Sequence, residues 1–501
     1  MNYKQTIEYI HNTPKFSRVL GNDLLKKLLT NMGNPQNNLK FIHIAGTNGK
    51  GSCAVMMSEI LINAGLKVGL FTSPYIEKFN ERIKINGTEI PDKELAKITT
   101  KIRKTIEKYD TPVSEFALDT AIAFEYFKNQ NCDIVILEVG LGGRLDATNV
   151  IDKSLLSIIM SIGLDHTEYL GGTVEEITAE KCGIIKENGT VILYPSQTNI
   201  EKVVKAYCKK QNATLIKADK PTILNGNTFE YKNNVYELSM GGDFQKYNAS
   251  TVLCAISVLK KYFNIPEKAV VSGLKNAFNP ARLEKLKCGL IIDGAHNLPA
   301  IKELCRSLSN FGKPVVLCYA QMQDKNVSEC IKELASLNPT VIATEINMPR
   351  CEKAEKIADE FKKYNIDVRI EKNPIIAAKT AVKYAGKDKI PCVCGSLYLA
   401  GEVRKELKKS ASLYYVYILR CTDNSLYTGI TTDIERRFKE HSDKNKKGAK
   451  YTHFHDVKSV EAVWTMPDRS SASKLEYYIK SLSKSEKEAL IKNPDSVIFR
   501  P

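Results

Sequence analysis

Short apolar runs rich in Val, Ile and Leu alternate with longer amphipathic stretches from about residue 39 to residue 408. The short runs predict buried strands, and apolar positions at helical spacing predict helices between them. Such alternation predicts an α/β fold with mainly parallel sheets. The predicted strands are Leu39–Ala45, Lys67–Pro74, Asp133–Gly140, Leu155–Gly163, Gly189–Tyr194, Gly289–His296, Pro314–Ala320, Thr340–Ile346 and Pro391–Ser396.

The pattern changes after residue 411. The stretch "LYYVYILRCTDNSLYTGITT" predicts a tyrosine-rich β-hairpin whose strands are joined by Asp423, Asn424 and Ser425. A new strand and helix series also begins after "NAFNPARLEKLKCG", and a weaker pattern over 225–233 predicts turns and a hairpin. We therefore predict three domains: two α/β domains over 1–284 and 285–409, and a small α+β module over 412–495.

Composition excludes several classes of protein. The chain has 501 residues, of which 43% are hydrophobic and 26% charged, as in globular proteins. No apolar run approaches ~18 residues, and the first residues lack a signal core, so we expect a cytoplasmic protein without a membrane span. The 13 cysteines include no Cys-x-x-Cys pair, which favours reduced thiols. The net charge of +16 is spread along the chain and does not by itself indicate nucleic-acid binding.

The stretch "HIAGTNGKGS", residues His43 to Ser52, has the features of a phosphate-binding loop. It follows a predicted strand and opens a predicted helix, so free backbone N–H groups and a helix N-terminus meet there, and anions bind at such points. Lys50 is placed to reach the terminal phosphates and Ser52 to face a metal ion. The alternative is a chance glycine-rich turn, which the next strand makes less favourable because it completes a βαβ unit.

Glu138 stands at the carboxyl end of a predicted buried strand. Open α/β sheets bind ligands at that edge. A carboxylate there suits Mg²⁺, which prefers oxygen ligands. We therefore expect Glu138 at a ligand-binding edge of the sheet, where it suits a magnesium ion.

Six motifs then occur in order. After the loop come "FTSPYIEKFNERIKINGTEI", "LEVGLGGRLDATNV", "SIGLDHTEYLGGTVEEITAEKCGIIK", "DGAHN" and "GSLYLAGEVR". Together they resemble the folylpolyglutamate synthase/dihydrofolate synthase family, the folate branch of the Mur ligase superfamily. The resemblance implies a P-loop ATPase domain of Mur ligase type followed by a Rossmann-like glutamate ligase domain. It also implies ATP-dependent addition of L-glutamate to a folate or dihydropteroate through an acyl phosphate.

The resemblance also implies the site residues, with ATP and Mg²⁺ as cofactors. The catalytic set is Lys50, His166 and Lys181; the ATP-binding set is Thr47, Asn48, Gly49, Lys50, Gly51, Ser52, Asn248, Arg282, Asp293 and His296; the metal-facing set is Ser52, Ser73, Glu138, His166 and Lys181 as a carbamate. A lone histidine such as His166 is more often structural, and a lysine such as Lys181 is usually at the surface; the flanking motifs favour function for both.

We expect the protein to be a monomer.

Three positions depart from the family pattern. Tyr75 replaces a usual histidine, Phe244 replaces the first residue of a His-Gln pair, and Ala117 replaces a usual glutamate. Tyr75 and Ala117 fall where folate or pteroate is expected, so the choice between dihydropteroate and tetrahydrofolate stays open.

The C-terminal stretch "YYVYILRCTDNSLYTGITTDIERRFKEH" resembles the GIY-YIG nuclease superfamily. The resemblance implies a metal-dependent phosphodiesterase site formed by Tyr417, Tyr427, Arg437, His441 and Glu476, with Glu476 holding Mg²⁺ and DNA as partner. Tyrosines are also ordinary strand residues, and members of this branch can bind nucleic acid while cutting poorly.

Two main functions compete. One is a folate:glutamate ligase with an appended nuclease-like module; the other is a DNA-processing enzyme with a degenerate ligase half. The intact motif residues favour the ligase. A peptidoglycan-precursor ligase is disfavoured by "FNERI" and by the Gly-Ser ending of the loop.

Overall fold

The computed structural model describes residues 1–15, 21–195, 198–408, 413–443 and 455–494. Within them the first large sheet has eight strands: β1 (Phe41–Ala45), β2 (Val68–Phe71), β3 (Ile83–Ile85), β4 (Thr88–Glu89), β5 (Ile134–Glu138), β6 (Leu156–Ile159), β7 (Thr190–Leu193) and β8 (Thr214–Lys217). Their order is β4-β3-β2-β5-β1-β6-β7-β8. All neighbours are parallel except β3, which pairs antiparallel with β2 and β4.

Both faces of this sheet are buried, because successive residues of its central strands enter different hydrophobic cores. In β1, Ile42 and Ile44 belong to one core and Phe41 to the core on the opposite face. Near-continuous apolar runs are what a parallel sheet covered on both sides requires. The predicted parallel α/β architecture is confirmed for this half of the chain.

A small antiparallel sheet packs beside the first one. It consists of β9 (Thr222–Ile223), β10 (Thr228–Tyr231) and β11 (Asn234–Glu237), in the order β11-β10-β9. The turn between β10 and β11 is formed by Lys232 and Asn233, both with positive φ, which suits a two-residue hairpin. The predicted hairpin exists, but it extends past residue 233 to Glu237.

The second large sheet contains β12 (Glu284–Lys285), β13 (Ile291–Ile292), β14 (Val315–Tyr319), β15 (Thr340–Ala343), β16 (Val368–Ile370) and β17 (Ile390–Cys394). The order is β12-β13-β17-β14-β15-β16, and only β12 runs antiparallel to its neighbour. A separate hydrophobic core covers each face. The predicted boundary between residues 284 and 285 falls inside β12, and the domain limits stay a prediction.

The C-terminal module has an antiparallel sheet of β18 (Tyr414–Cys421), β19 (Leu426–Thr431) and β20 (Val457–Met466), in the order β19-β18-β20. The predicted hairpin is β18 and β19. Val416 and Ile418 on one face of β18 pack against the helix Arg469–Ser481. The module contacts the helix Pro374–Ala385, where Lys379 Nζ donates to the carbonyl of Pro467 at 2.5 Å.

Helices cover the sheets. Their bounds are Tyr3–Asn12, Asp23–Asn31, Lys50–Asn63, Asp92–Tyr109, Glu115–Asn129, Thr167–Leu170, Val174–Cys182, Thr198–Lys210, Asp243–Leu259, Glu267–Asn276, Leu298–Ser309, Val327–Ala335, Ala354–Lys362, Pro374–Ala385, Leu397–Leu407, Ile434–Ser442, Arg469–Ser481 and Lys484–Lys492. In the described part of the chain, no helix combines the length and apolarity that crossing a membrane needs. All 13 cysteines are free thiols.

Candidate active site

A cleft of about 620 Å³ opens at the carboxyl edge of the first sheet and extends to the second sheet. Residues from both halves line it, which places distant parts of the sequence around one space. The residues predicted to bind ATP or to face the metal of the ligase site all lie in its wall: Thr47, Asn48, Gly49, Lys50, Gly51, Ser52, Ser73, Glu138, His166, Lys181, Asn248, Arg282, Asp293 and His296.

The loop between β1 and the helix Lys50–Asn63 has no room for side chains at two glycines. A Cβ on Gly46 would lie 2.6 Å from Met160 Cβ. Gly49 has a φ of +84°, and a Cβ there would lie 2.5 Å from Asn248 Oδ1. The first N–H groups of a helix have no partner within it and point out of its N-terminus. The loop therefore presents an anion-binding helix start directly against Asn248.

The side-chain nitrogens of two lysines meet on this loop. Lys50 Nζ donates to Gly46 O at 2.9 Å and to Thr47 O at 3.2 Å, and Lys181 Nζ donates to Gly46 O at 3.0 Å. Burial, together with the neighbouring charge of Lys50, lowers the pKa of Lys181 to about 7. Lys181 is 4% exposed, so the alternative of an ordinary surface lysine is wrong. A neutral amine is the form that reacts with CO₂, so this environment suits the predicted carbamate.

Glu138 ends β5 inside the cleft and is 5% exposed. Its Oε2 accepts the Ser73 N–H at 3.1 Å; burial raises the pKa of this carboxyl, and Lys50 opposes the rise. Ser52 Oγ is held nearby by amide groups of Gln245 and Asn279, each at 3.2 Å. Glu138 therefore brings Ser73 and the P-loop to one point.

Among the described residues no three His, Cys, Asp or Glu side chains are grouped as a metal site. Mg²⁺ in nucleotide enzymes is commonly held by one or two carboxylates, with phosphate oxygens and water completing the octahedron. One buried carboxylate, Glu138, beside the hydroxyl of Ser52 fits that pattern, since both are oxygen donors at the phosphate loop. The donor set fits Mg²⁺ bound together with a nucleotide.

Asp165 and Lys325 are site residues that sequence reasoning missed. Asp165 Oδ1 accepts from Lys325 Nζ at 2.6 Å, and His166 Nε2 lies 3.4 Å from the same nitrogen. Burial alone would raise the pKa of Asp165, but the charges of Lys325, His166 and His296 together outweigh burial and hold that pKa well below its usual range. Burial also lowers the pKa of His166. Asp165 stands next to His166 in a quoted motif, which was the available signal; nothing in the sequence marks Lys325.

Besides the contact of Asp165 with Lys325, a second set of polar contacts joins the two α/β halves of the chain. The side-chain amides of Asn48 and Asn297 exchange two hydrogen bonds of 3.2 Å. Asn297 also donates to Asp165 Oδ2 at 2.8 Å, and its Oδ1 accepts from Ala300 N at the start of the helix Leu298–Ser309. The phosphate loop is thus tied to a helix start in the second half.

The second half contributes a turn with charged groups. Asp293 accepts the N–H groups of Leu283 at 2.7 Å and Ala295 at 2.8 Å, which fixes the turn carrying Arg282. Each carboxylate oxygen keeps a lone pair for a further donor. Burial lowers the pKa of His296 to about 4, so its ring is neutral near pH 7.

The C-terminal module gathers its own cluster. Tyr417 Oη lies 2.9 Å from His441 Nε2, and the ring centroids of Tyr427 and His441 are 5.2 Å apart. Burial raises the pKa of Tyr417 to about 12, while hydrogen bonding to Arg437 opposes the rise. Burial lowers the pKa of His441 to about 4.

Glu476, the predicted metal residue of this module, accepts from Lys480 Nζ at 2.8 Å. Glu476 lies on the helix Arg469–Ser481, which packs against the strand β18 that contains Tyr417, and its charge raises the pKa of Tyr417. The structure therefore brings the five predicted module residues into one neighbourhood, and their catalytic roles stay a prediction.

Comparison with known proteins identifies the class. Residues 44–262 match the model of the Mur ligase middle domain, residues 276–408 that of the dihydrofolate synthetase C-terminal domain, and residues 413–489 that of the GIY-YIG catalytic domain. A P-loop cleft between two such domains defines a Mur-type ligase, and a third domain follows it.

The relatives identify the family. The dihydrofolate synthase/folylpolyglutamate synthase of Bacillus subtilis is 33% identical over 81% of this chain and 99% of its own length. The dihydrofolate synthetase of Saccharomyces cerevisiae is 32% identical over 77% of this chain and 97% of its own length. The chain therefore belongs to the dihydrofolate synthase/folylpolyglutamate synthase family, and it carries a GIY-YIG domain as well.

Solved structures of similar proteins have the same fold as the ligase part of this chain. E. coli FolC in complex with DHPP and ADP has a TM-score of 0.74 at 25% identity, covering 81% of this chain and 98% of that one. The folylpolyglutamate synthase of Thermotoga maritima has a TM-score of 0.70 at 33% identity, covering 81% and 97%. The ligase half of the predicted fold is confirmed by these likenesses, and the degenerate-ligase alternative is not favoured.

Proposed function

We propose that this protein is an ATP-dependent ligase that joins L-glutamate to a folate or to dihydropteroate. The observation that carries the proposal is the convergence of Lys50, Glu138, His166 and Arg282 on one cleft between the two α/β halves. A carboxylate is a poor acyl donor, because its leaving group would be oxide. A cleft that holds a triphosphate beside an acid solves this problem by phosphorylating the acid.

The reaction has two balanced steps. A carboxylate oxygen of the acid forms a bond to the γ-phosphorus while the bond to ADP breaks, which gives an acyl phosphate. The neutral amino group of glutamate then attacks the acyl carbon, inorganic phosphate leaves, and the amine loses a proton. Most of the catalysis in such transfers is positioning and charge stabilisation.

Each half of the cleft has a separate task in this proposal. The helix start at Lys50 and the Lys50 ammonium hold the phosphates, and Arg282 neutralises charge from the opposite side. Glu138 and Ser52, with His166 and a carbamylated Lys181, would hold Mg²⁺, which would neutralise phosphate charge. The relatives support the nucleotide: one solved relative is a complex with AMPPNP and a Mn ion.

The identity of the acid is tested by a panel of substrates. Purified protein is incubated with ATP, Mg²⁺, glutamate and either dihydropteroate, tetrahydrofolate or its polyglutamates, and phosphate release is recorded. We expect release that needs both an acid from this panel and glutamate. Phosphate release at the same rate when either the acid or glutamate is left out would refute the proposal. Lys50→Ala is expected to abolish turnover, and Lys104→Ala, an exposed lysine on the helix Asp92–Tyr109, serves as its matched control.

We further propose that the C-terminal module is a metal-dependent nuclease with DNA as its partner. The contact of Tyr417 with His441 favours it, because a neutral imidazole beside a phenol offers a proton acceptor near Arg437. A nicking assay on supercoiled plasmid with Mg²⁺ tests this. Glu476→Gln should lose nicking while keeping ligation, and Glu435→Gln, an exposed glutamate, should keep both. Wild-type protein that binds plasmid without nicking it would leave only DNA binding and reject the nuclease.

A further inference from the structure

Arg404 lies far from the phosphate loop in sequence, yet it contacts two segments that lie between the two α/β halves, through Glu77 and Glu284. It belongs to the helix Leu397–Leu407 and is 8% exposed. Its Nε donates to Glu284 Oε2 at 2.6 Å, and its NH1 donates to Glu77 Oε1. The guanidinium also lies over the Phe278 ring, 5.7 Å from the centroid. A planar fork of donors suits two carboxylates better than a lysine would.

The first contact reaches the loop that follows β2. Glu81 holds this loop in shape, because its carboxylate accepts the N–H groups of Ile76, Glu77 and Lys78 at 2.9, 3.0 and 3.0 Å. The loop begins at Ser73, whose N–H donates to Glu138 in the cleft. Arg404 therefore contacts a segment whose first residue is hydrogen-bonded to Glu138, the predicted metal-facing carboxylate.

The same loop is docked on the second half by packing. Ile76 packs against the core of the second sheet. A Cβ at Gly401, one turn before Arg404, would overlap the carbonyl oxygen of Ile76. This close approach requires glycine at that position and lets the carbonyl of Ile76 lie directly against the helix.

The second contact reaches the segment that connects the two halves. Glu284 Oε2, which Arg404 contacts, also accepts the N–H of Ala281 at 3.0 Å. Arg282 follows directly, and Asn279 of the same segment donates to Ser52 Oγ at 3.2 Å. Arg404 is thereby connected to the nucleotide side of the cleft as well as to the Ser73 side.

We propose that Arg404 is a positioning residue that couples the substrate loop Ser73–Arg82 to the connecting segment Asn279–Glu284, and so sets the position of these two walls of the cleft. It acts through Glu77 on one side and Glu284 on the other, and touches no reacting atom. The kinetic consequence rests on the proposed ligase function. The mechanical coupling does not.

The mechanical part is tested by hydrogen exchange on the full chain. Arg404→Gln should speed exchange of the Ile76, Glu77 and Lys78 amides by about tenfold or more, since their openings become local. The control is Arg103→Gln, which removes an exposed pair with Glu107. Unchanged exchange in the loop after Arg404→Gln would overturn the proposal, whether or not the protein is a ligase.

The kinetic part separates the two arms. Glu77→Gln should raise KM for the acid substrate with a smaller effect on KM for ATP, and Glu284→Gln should do the opposite. Arg404→Gln should affect both and lower kcat/KM by about 100-fold, the scale of an ångström-level misplacement. If Glu77→Gln and Glu284→Gln changed the KM values for the acid and for ATP equally, Arg404 would be a merely structural residue and the coupling would be refuted. The same conclusion would follow if the Arg404→Gln variant regained full kcat/KM on cooling. Absence of turnover in the wild type would instead refute the ligase function and leave the exchange result standing.

Discussion

Asp165 and Lys325 form an ion pair of 2.6 Å that spans the cleft. Asp165 follows β6 of the first sheet, and Lys325 follows β14 of the second. Both side chains are about nine-tenths buried. Breaking one partner of a buried pair is costly because the remaining charge has no water to solvate it. The pair therefore favours the arrangement in which the two halves face each other across the cleft.

Replacing Lys325 by Met should destabilise the protein by about 3 kcal/mol, because it leaves the Asp165 carboxylate buried without its cation. The double variant Asp165→Asn with Lys325→Met should recover much of that stability, since no charge remains, but should not recover ligation. Urea unfolding and phosphate release measure the two effects. A double variant as unstable as Lys325→Met alone would contradict the pairing.

Gly49→Ala should weaken nucleotide binding at least tenfold. The residue has a φ of +84°, which costs a side chain about 1–2 kcal/mol, and the new Cβ would also meet Asn248 Oδ1 at 2.5 Å. Titration calorimetry with ADP measures the change. Gly65→Ala is the matched control, because Gly65 has a φ of +90° and open space around its Cβ position. Equal loss of ADP affinity in both variants would show that strain alone, rather than the contact with Asn248, is responsible.

Lys181 should be carbamylated, since its pKa of about 7 leaves a large neutral fraction of the amine at physiological pH. Removing dissolved CO₂ should lower ligation, and added bicarbonate should restore it. Lys181→Gln should be inactive at any bicarbonate concentration. Lys181→Glu, which supplies a carboxylate directly, should retain more activity than Lys181→Gln. Its activity should not depend on the bicarbonate concentration. Wild-type turnover that is insensitive to CO₂ removal would argue against the modification.

His43 should make the protein less stable in mild acid. Burial lowers the pKa of His43 from 6.5 to about 3. Below pH 6.5 this histidine is therefore protonated in the unfolded chain and stays neutral in the folded one. The free energy of unfolding therefore falls as the pH drops from 6.5 towards 3, by about 1.4 kcal/mol per pH unit, which amounts to about 2 kcal/mol at pH 5. His43→Gln keeps a donor for Thr148 Oγ1, which lies 2.8 Å from His43 Nε2, and removes the titration. Its Tm should fall less than that of the wild type between pH 7.5 and pH 5; equal falls would contradict this assignment.

The elements of the ligase half were predictable because their signals are local. Strands such as Ile134–Glu138 are short β-branched runs, and the loop around Lys50 follows from the order strand, glycines, helix. The positions of Glu138 and Ser52 followed from the parallel sheet, since carboxyl ends of its strands meet at one edge.

The contacts across the cleft were not predictable in this way. Asp165 and Lys325 are 160 residues apart, and Asn48 and Asn297 are 249 apart. No periodicity or spacing relates such positions, because two separate sheets bring them together. Arg404 was similarly visible only as the end of a motif, and its two carboxylate partners appear only in the folded chain.

The central claim is that an acid substrate receives a phosphoryl group in this cleft before the amine attacks. The most direct measurement uses a folate or dihydropteroate whose reacting carboxylate is labelled with ¹⁸O, together with ATP, Mg²⁺ and glutamate. Mass spectrometry of the released phosphate should find one ¹⁸O atom per turnover, because the carboxylate oxygen leaves with the phosphorus. Amide product accompanied by unlabelled phosphate would contradict the account.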